Sequence, residues 1–245
     1  MASKIWGHRG ASGYAPENTL SAFRLAAQMG AYGIELDVHF SKDRQVVVTH
    51  DDNVERVTNH KGNICDMTLE QLKKLDFSNH MAAFAGETIP TLEEVLQLVE
   101  PTAMHINIEL KTNHQTPIGL EEAVQALVEK YNMQERILYS SFNHQSLQKI
   151  KEIAPHMPCG VLYSCKLVAP WTYAKMLGFE AVHPYFPALS LPDFHKQCKE
   201  NDIMINVWTV NTKEDIEAML DFGVDGIITN YPDVALALLK DFPKK

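Results

Sequence analysis

Short apolar runs with strand character recur along the chain, each followed by a longer segment with helical spacing of its apolar residues, and this alternation narrows the available folds more than any other property. Strand followed by helix, repeated, implies parallel strands, because parallel neighbours need a crossover of about a dozen residues or more. Strands are expected near Ile5–His8, Gly33–Phe40, His105–Lys111, Ile137–Ser141, Gly160–Tyr163, Ala181–Tyr185, Met204–Val210 and Gly226–Thr229. Helix-start signals fall between them: Glu17 and Asn18 before Leu20 and Phe23, Thr91 before Leu92, Asn143 before Leu147, Thr212 before Ile216, and Pro232 before Val234. Eight such units in 245 residues match an α/β fold of the (β/α)8 TIM-barrel type, for which about 250 residues is typical.

Successive strands start about 20 to 30 residues apart, except between Gly33 and His105, where the gap is about 70 and exceeds one strand–helix unit. The excess, residues 51–90, holds turn material at Asn59–Asn63 and an amphipathic piece at Met67–Leu75. It is predicted to be a small cap inserted after the second strand, on the barrel face where loops carry chemistry. No Gly/Ser-rich linker sets it apart, so a single catalytic domain over residues 1–245 is expected, with the cap as part of it.

Composition removes several function classes. Lys plus Arg is 22 against 31 for Asp plus Glu, a net charge of -9 that opposes nucleic-acid binding. Apolar stretches fall far short of the roughly 18 residues of a membrane span, so no stable membrane insertion is expected. The amino terminus lacks the basic and long apolar regions of a secretory signal, which predicts cytoplasmic residence. Cys65, Cys159, Cys165 and Cys198 form no C-x-x-C pair and read as reduced thiols rather than zinc ligands. Nothing in the sequence sets an oligomeric state.

Strands of a closed parallel barrel normally read as continuous Val, Ile and Leu, and two here do not. In Gly33–His39, alternation sends Ile34, Leu36 and Val38 to one face and Glu35, Asp37 and His39 to the other. The next barrel strand repeats the pattern, with Ile106, Ile108 and Leu110 outward and Asn107, Glu109 and Lys111 inward. Three carboxylates against one ammonium leave an excess of buried negative charge, costing several kcal/mol or forcing protonation. A divalent cation resolves it, and an all-oxygen donor set favours Mg2+ or Ca2+. His8, in Gly7-His8-Arg9-Gly10, and His50, in His50-Asp51-Asp52, flank this cluster as candidate general acid and base. Arg9 and Lys111 add fixed positive charge suited to phosphoryl oxygens. Together these groups describe phosphodiester chemistry.

The ordered set His8-Arg9-Gly10, Pro16-Glu17-Asn18-Thr19, Glu35-Leu36-Asp37-Val38, His50-Asp51, Glu109-Leu110-Lys111, Trp208-Thr209-Val210-Asn211 and Asp225-Gly226-Ile227-Ile228-Thr229 closely resembles the glycerophosphodiester phosphodiesterase family over essentially the whole chain. The resemblance implies a TIM barrel with an insertion after the second strand. It also implies hydrolysis of small-molecule glycerophosphodiesters to glycerol 3-phosphate and an alcohol. By position, Glu35, Asp37 and Glu109 would hold the cation, and His8 and His50 would be acid and base. Arg9 and Lys111 would bind phosphate, Trp208 would line the glycerol end, and the cap would set the alcohol pocket. Two alternatives stand beside hydrolysis: a lyase that releases a cyclic phosphate, and a barrel that binds a phosphoester without turnover. A zinc amidohydrolase is disfavoured because Arg9 and Gly10, rather than an H-x-H pattern, follow His8.

His39 reads as packing beneath the site, and His183 as a candidate substrate contact from the sixth strand. His60, His80, His114, His144, His156 and His195 read as surface residues, Met176, Leu177 and Phe179 as core, and Lys244-Lys245 as a frayed end.

Overall fold

The structure, a computed structural model, describes residues 3–112, 118–189 and 193–243. His114 and Lys244-Lys245 lie outside the described residues. The strands are β1 (Lys4–His8), β2 (Gly33–Phe40), β3 (Val46–Val48), β4 (His105–Leu110), β5 (Ile137–Ser141), β6 (Cys159–Tyr163), β7 (Ala181–Pro184), β8 (Met204–Val207) and β9 (Gly226–Thr229). All but β3 form a parallel barrel in the order β1-β9-β8-β7-β6-β5-β4-β2, closed by the pairing of β1 with β2. The (β/α)8 expectation therefore holds, with three strands shorter than expected: β4 ends at Leu110, β7 at Pro184 and β8 at Val207.

The two-residue alternation sorts side chains as anticipated. Ile34, Leu36, Val38, Ile106, Ile108 and Leu110 are fully buried against the surrounding helices, each contributing roughly 1.5–3 kcal/mol through lost water contact. Register then sets the opposite face: Glu35 lies beside Asn107, and Asp37 beside Glu109.

Helices α1 (Leu20–Met29), α3 (Leu92–Val99), α4 (Leu120–Lys130), α5 (His144–Ile153), α6 (Pro170–Met176), α7 (Phe194–Glu200), α8 (Lys213–Phe222) and α9 (Pro232–Asp241) flank the barrel, and α2 (Leu69–Leu72) lies in the insertion. Thr91 caps α3 in a reciprocal box with Glu94, Asn143 caps α5 and Thr212 caps α8, as the sequence indicated. The cap of α1 is Thr19, which accepts from Ala22 N, rather than Glu17 or Asn18. Those two side chains are drawn instead into the site beside β2. Met176 is exposed, contrary to its reading as core. Helix α6 buries Pro170 and Ala174, and two residues past Ala174 a side chain points to the opposite side; Phe179 is buried.

After β2 the chain turns back as β3, antiparallel to β2 with Val38 opposite Val48. The following segment up to Pro90 packs over a second apolar cluster of Val47, Val54, Val57, Ile64, Leu72, Leu75, Phe77 and Ile89. Helix occupies only Leu69–Leu72 of the amphipathic stretch Met67–Leu75. No helix among the described residues is long and apolar enough to cross a membrane.

Candidate active site

The C-terminal ends of β1, β2 and β4 bring the charged groups together. His8 is the last residue of β1, and the chain then turns sharply through Arg9 and Gly10, both with positive φ (56° and 85°). A side chain at position 10 would place its Cβ 2.7 Å from Ala22 of α1, so the turn requires glycine. Arg9 sustains its left-handed backbone in part by donating its N–H to Glu35 Oε2 at 3.0 Å.

Glu35, Asp37 and Glu109 are all buried and offer oxygen atoms that lie within 4.8 Å of one another. Lys111 Nζ donates to Glu109 Oε1 at 2.9 Å and stands 3.6 Å from Asp37 Oδ1; Arg9 Nε is 3.5 Å from Asp37 Oδ2. Asn18 Nδ2 donates to Asp37 Oδ2 at 2.9 Å, while Asp37 Oδ1 accepts no hydrogen bond. Burial opposes ionisation of Asp37, but Lys111 and Arg9 outweigh it and hold that carboxyl well below the usual range. The other two go the opposite way. Burial, with Asp37 and Glu109 nearby, drives Glu35 well above the carboxylate range, and burial pushes Glu109 up to about 7 despite Lys111. Two local cations thus keep one carboxylate ionised and leave the others short of positive charge. An orphaned buried oxygen and an under-compensated oxygen donor set fit a hard divalent cation.

The imidazoles flank the carboxylates. His8 Nδ1 pairs with Asn230 Oδ1 at 2.6 Å, and burial followed by the Arg9 charge lowers its pKa to about 4. His50, two residues past β3, pairs through Nδ1 with Asp51 Oδ1 at 2.6 Å. Burial lowers its pKa, while the carboxylates of Asp37 and Asp51 act against that. In each ring Nδ1 carries the proton toward an oxygen acceptor, which leaves Nε2 for chemistry.

His8, Arg9, Glu35, His50, Glu109 and Trp208 line one cavity of ≈ 270 Å³. Phe142 meets Trp208 edge-on at 5.5 Å between ring centres, and Tyr185 lies 5.5 Å from Trp208 on its other contact, making an aromatic wall on the β5–β8 side. Asn107 Oδ1 and Ser140 Oγ are buried without hydrogen-bond partners, and both residues line the cavity floor.

Every residue singled out from the sequence thus reaches the site or its edge, with His183 the exception. It is fully buried inside the barrel, accepts from Asn206 Nδ2 at 2.9 Å, and is held neutral by burial with a pKa near 3. His39, two residues beyond Asp37 on β2, bonds the backbone oxygen of His50 through Nε2 at 3.1 Å. His144 is not a bland surface residue: it is half-buried and bonds Tyr173 Oη and the Leu162 backbone oxygen. Sequence reasoning missed Asn230, Ser140, Glu17 and Arg56. The first two sit at or just past strand ends, a position that could have marked them, whereas Arg56 lies in the insertion with no periodicity around it.

The family model described as the glycerophosphoryl diester phosphodiesterase family matches residues 8–234. A glycerophosphodiester phosphodiesterase of Caldanaerobacter subterraneus subsp. tengcongensis is 43% identical over 241 residues, covering 98% of this chain and 99% of the relative. The crystal structure of a glycerophosphoryl diester phosphodiesterase, so named provisionally, from Silicibacter pomeroyi superposes with a TM-score of 0.90 at 27% identity, covering 98% of this chain and 94% of that one. An Oleispira antarctica phosphodiesterase solved with the product sn-glycerol-3-phosphate superposes with a TM-score of 0.87 at 30% identity, covering 98% of both chains.

Proposed function

The chain belongs to the glycerophosphoryl diester phosphodiesterase family and hydrolyses glycerophosphodiesters, and we propose that it does so at a divalent cation, with His8 and His50 moving the protons and glycerol 3-phosphate and an alcohol as products. The observation that carries this reading is the cluster of three buried carboxylates with oxygen atoms within 4.8 Å, paired with Arg9 and Lys111 and bordering a cavity that His8 and His50 line.

Glu35, Asp37 and Glu109 would hold Mg2+ or Ca2+, which when bound supplies positive charge for a non-bridging phosphate oxygen. Arg9 and Lys111 share the remaining phosphoryl charge and orient the phosphorus for in-line displacement. His8, whose Nδ1–H is satisfied by a neutral amide and whose environment keeps it uncharged, takes a proton at Nε2 from the attacking water. His50, held through Nδ1 by Asp51, delivers a proton to the leaving alkoxide oxygen, so that the P–O bond breaks to a neutral alcohol. Trp208 and Phe142 would pack against the carbon skeleton of the glycerol, and the unpartnered Asn107 and Ser140 would meet its hydroxyls. Residues 51–90 would form a cap on the site, with the head-group alcohol on their side.

A coupled assay for glycerol 3-phosphate, run on choline, ethanolamine and glycerol diesters with each ion in turn, tests the reading, with phosphorus NMR on early time points. Release of glycerol 3-phosphate is expected. A cyclic phosphate as the end product would replace hydrolysis by a lyase reaction, and no release from any of the diesters would refute the assignment.

A further inference from the structure

We propose that Arg56, on the inserted segment, is a positioning residue that locks the His50–Asp51 pair to the Glu17–Arg9 pair and so sets imidazole and guanidinium in fixed relation about the phosphate; this rests on the phosphodiesterase reading above. The guanidinium uses all three of its nitrogens. Nε donates to Asp51 Oδ2 at 2.7 Å, Nη1 to Glu17 Oε2 at 2.7 Å and Nη2 to Glu17 Oε1 at 2.8 Å. Each carboxylate spends its remaining capacity on a group of the site: Asp51 Oδ1 on His50 Nδ1 at 2.6 Å, and Glu17 Oε1 on Arg9 Nη1 at 2.9 Å. Arg9 in turn faces Asp37. From Asp37 through Arg9, Glu17 and Arg56 to Asp51, charge alternates in an unbroken line that leaves the carboxylate cluster and ends on the His50 ring at the cavity.

A single exposed ion pair ordinarily does little, and Arg56 is about half exposed. What differs here is geometry: a two-pronged fork on Glu17 and a third donor on Asp51 fix three planar groups relative to one another. Lysine carries the same charge at one point and cannot span both carboxylates in this way. Without the fork, Glu17 is free to turn fully onto Arg9 and compete with phosphate, and Asp51 loses the partner that orients it toward His50. The insertion would thereby contribute to turnover without touching the reacting atoms.

The test uses the full chain with saturating Mg2+ or Ca2+ and sn-glycero-3-phosphocholine, comparing Arg56→Lys, Arg56→Ala, Asp51→Asn and the Asp51→Asn/Arg56→Lys double variant. Arg56→Lys should lose about tenfold or more in kcat with KM changed less than about threefold. The double variant should lose less than the product of the two single losses, because both changes cut the Arg56–Asp51 link. Millimolar guanidinium should restore part of the Arg56→Ala loss. Should Arg56→Ala fold poorly, Arg56→Lys still decides, since it keeps charge and stem. A kcat for Arg56→Lys within about twofold of the parent, or losses that add in the double variant, overturns the proposal; a parent protein that releases no glycerol 3-phosphate overturns it together with the phosphodiesterase reading.

Discussion

Replacing Glu109 by Gln should stabilise the cation-free protein while abolishing turnover. In the fold the Glu109 carboxyl is pushed up to about 7 by burial, with Asp37 adding to the effect and Lys111 opposing it, against 4.5 in the unfolded chain. A raised carboxyl favours folding below pH 4.5, and that contribution is lost as pH climbs through 7. At pH 8 the ionised group therefore costs about 3 kcal/mol relative to its protonated form. Glutamine removes this cost, and Lys111 keeps Asp37 as a partner at 3.6 Å. For a domain of this size 1 kcal/mol moves the melting temperature by about 2–4 °C, so a gain of up to about 6–12 °C is expected at pH 8 in excess chelator. At pH 4.5 the two proteins should melt close together. Saturating Mg2+ or Ca2+ should reverse the order at pH 8, because at a thousand times its dissociation constant the parent gains about 4.1 kcal/mol, more than the cost of the ionised group, while the variant has lost a ligand. Thermal melts followed by circular dichroism in chelator and in each ion read all of this. If Glu109→Gln melts below the parent at pH 8 in chelator, the carboxylates are already balanced by Lys111 and Arg9, and the charge imbalance behind the cation assignment is wrong.

His8→Ala and His50→Ala should each lower kcat by about 100- to 10,000-fold with much smaller effects on KM, measured by steady-state kinetics; near-normal turnover in either removes its assignment as a proton carrier. His183, held neutral with a pKa near 3 against 6.5 in the unfolded chain, contributes stability above pH 6.5 that is lost as pH falls toward 3. Between pH 7.5 and 5, in saturating cation, the parent should lose about 2 kcal/mol through this group, and His183→Gln should melt with a correspondingly flatter pH dependence. Equal slopes for the two would show that His183 is not the source.

Much of this architecture was legible because barrel strands obey a simple alternation. Once Ile34, Leu36 and Val38 were assigned to the helices, Glu35 and Asp37 had to face inward, and the register with β4 did the rest. Thr91, Asn143 and Thr212 announced their helices because caps are local chemistry. Glu17 and Asn18 misled for the same reason: acid and amide side chains suit a helix start, but here Arg9 and Asp37 offer them stronger partners. Val46–Val48 is not among the expected strands, because it belongs to no strand–helix unit and its antiparallel pairing with β2 is a tertiary fact. Arg56 was invisible because its meaning lies in contacts with Glu17, 39 positions away, and Asp51. Met176 failed on the shortness of α6, which presents only one narrow stripe to the barrel.

The most direct test is titration of the chelated protein with Mg2+ and Ca2+ by calorimetry, with turnover of a glycerophosphodiester followed across the same titration. One ion per chain should bind, activity should rise from background in step with occupancy, and Asp37→Asn should lose both together. Full activity in excess chelator, or binding that Asp37→Asn leaves intact, would contradict a hydrolytic centre built on Glu35, Asp37 and Glu109.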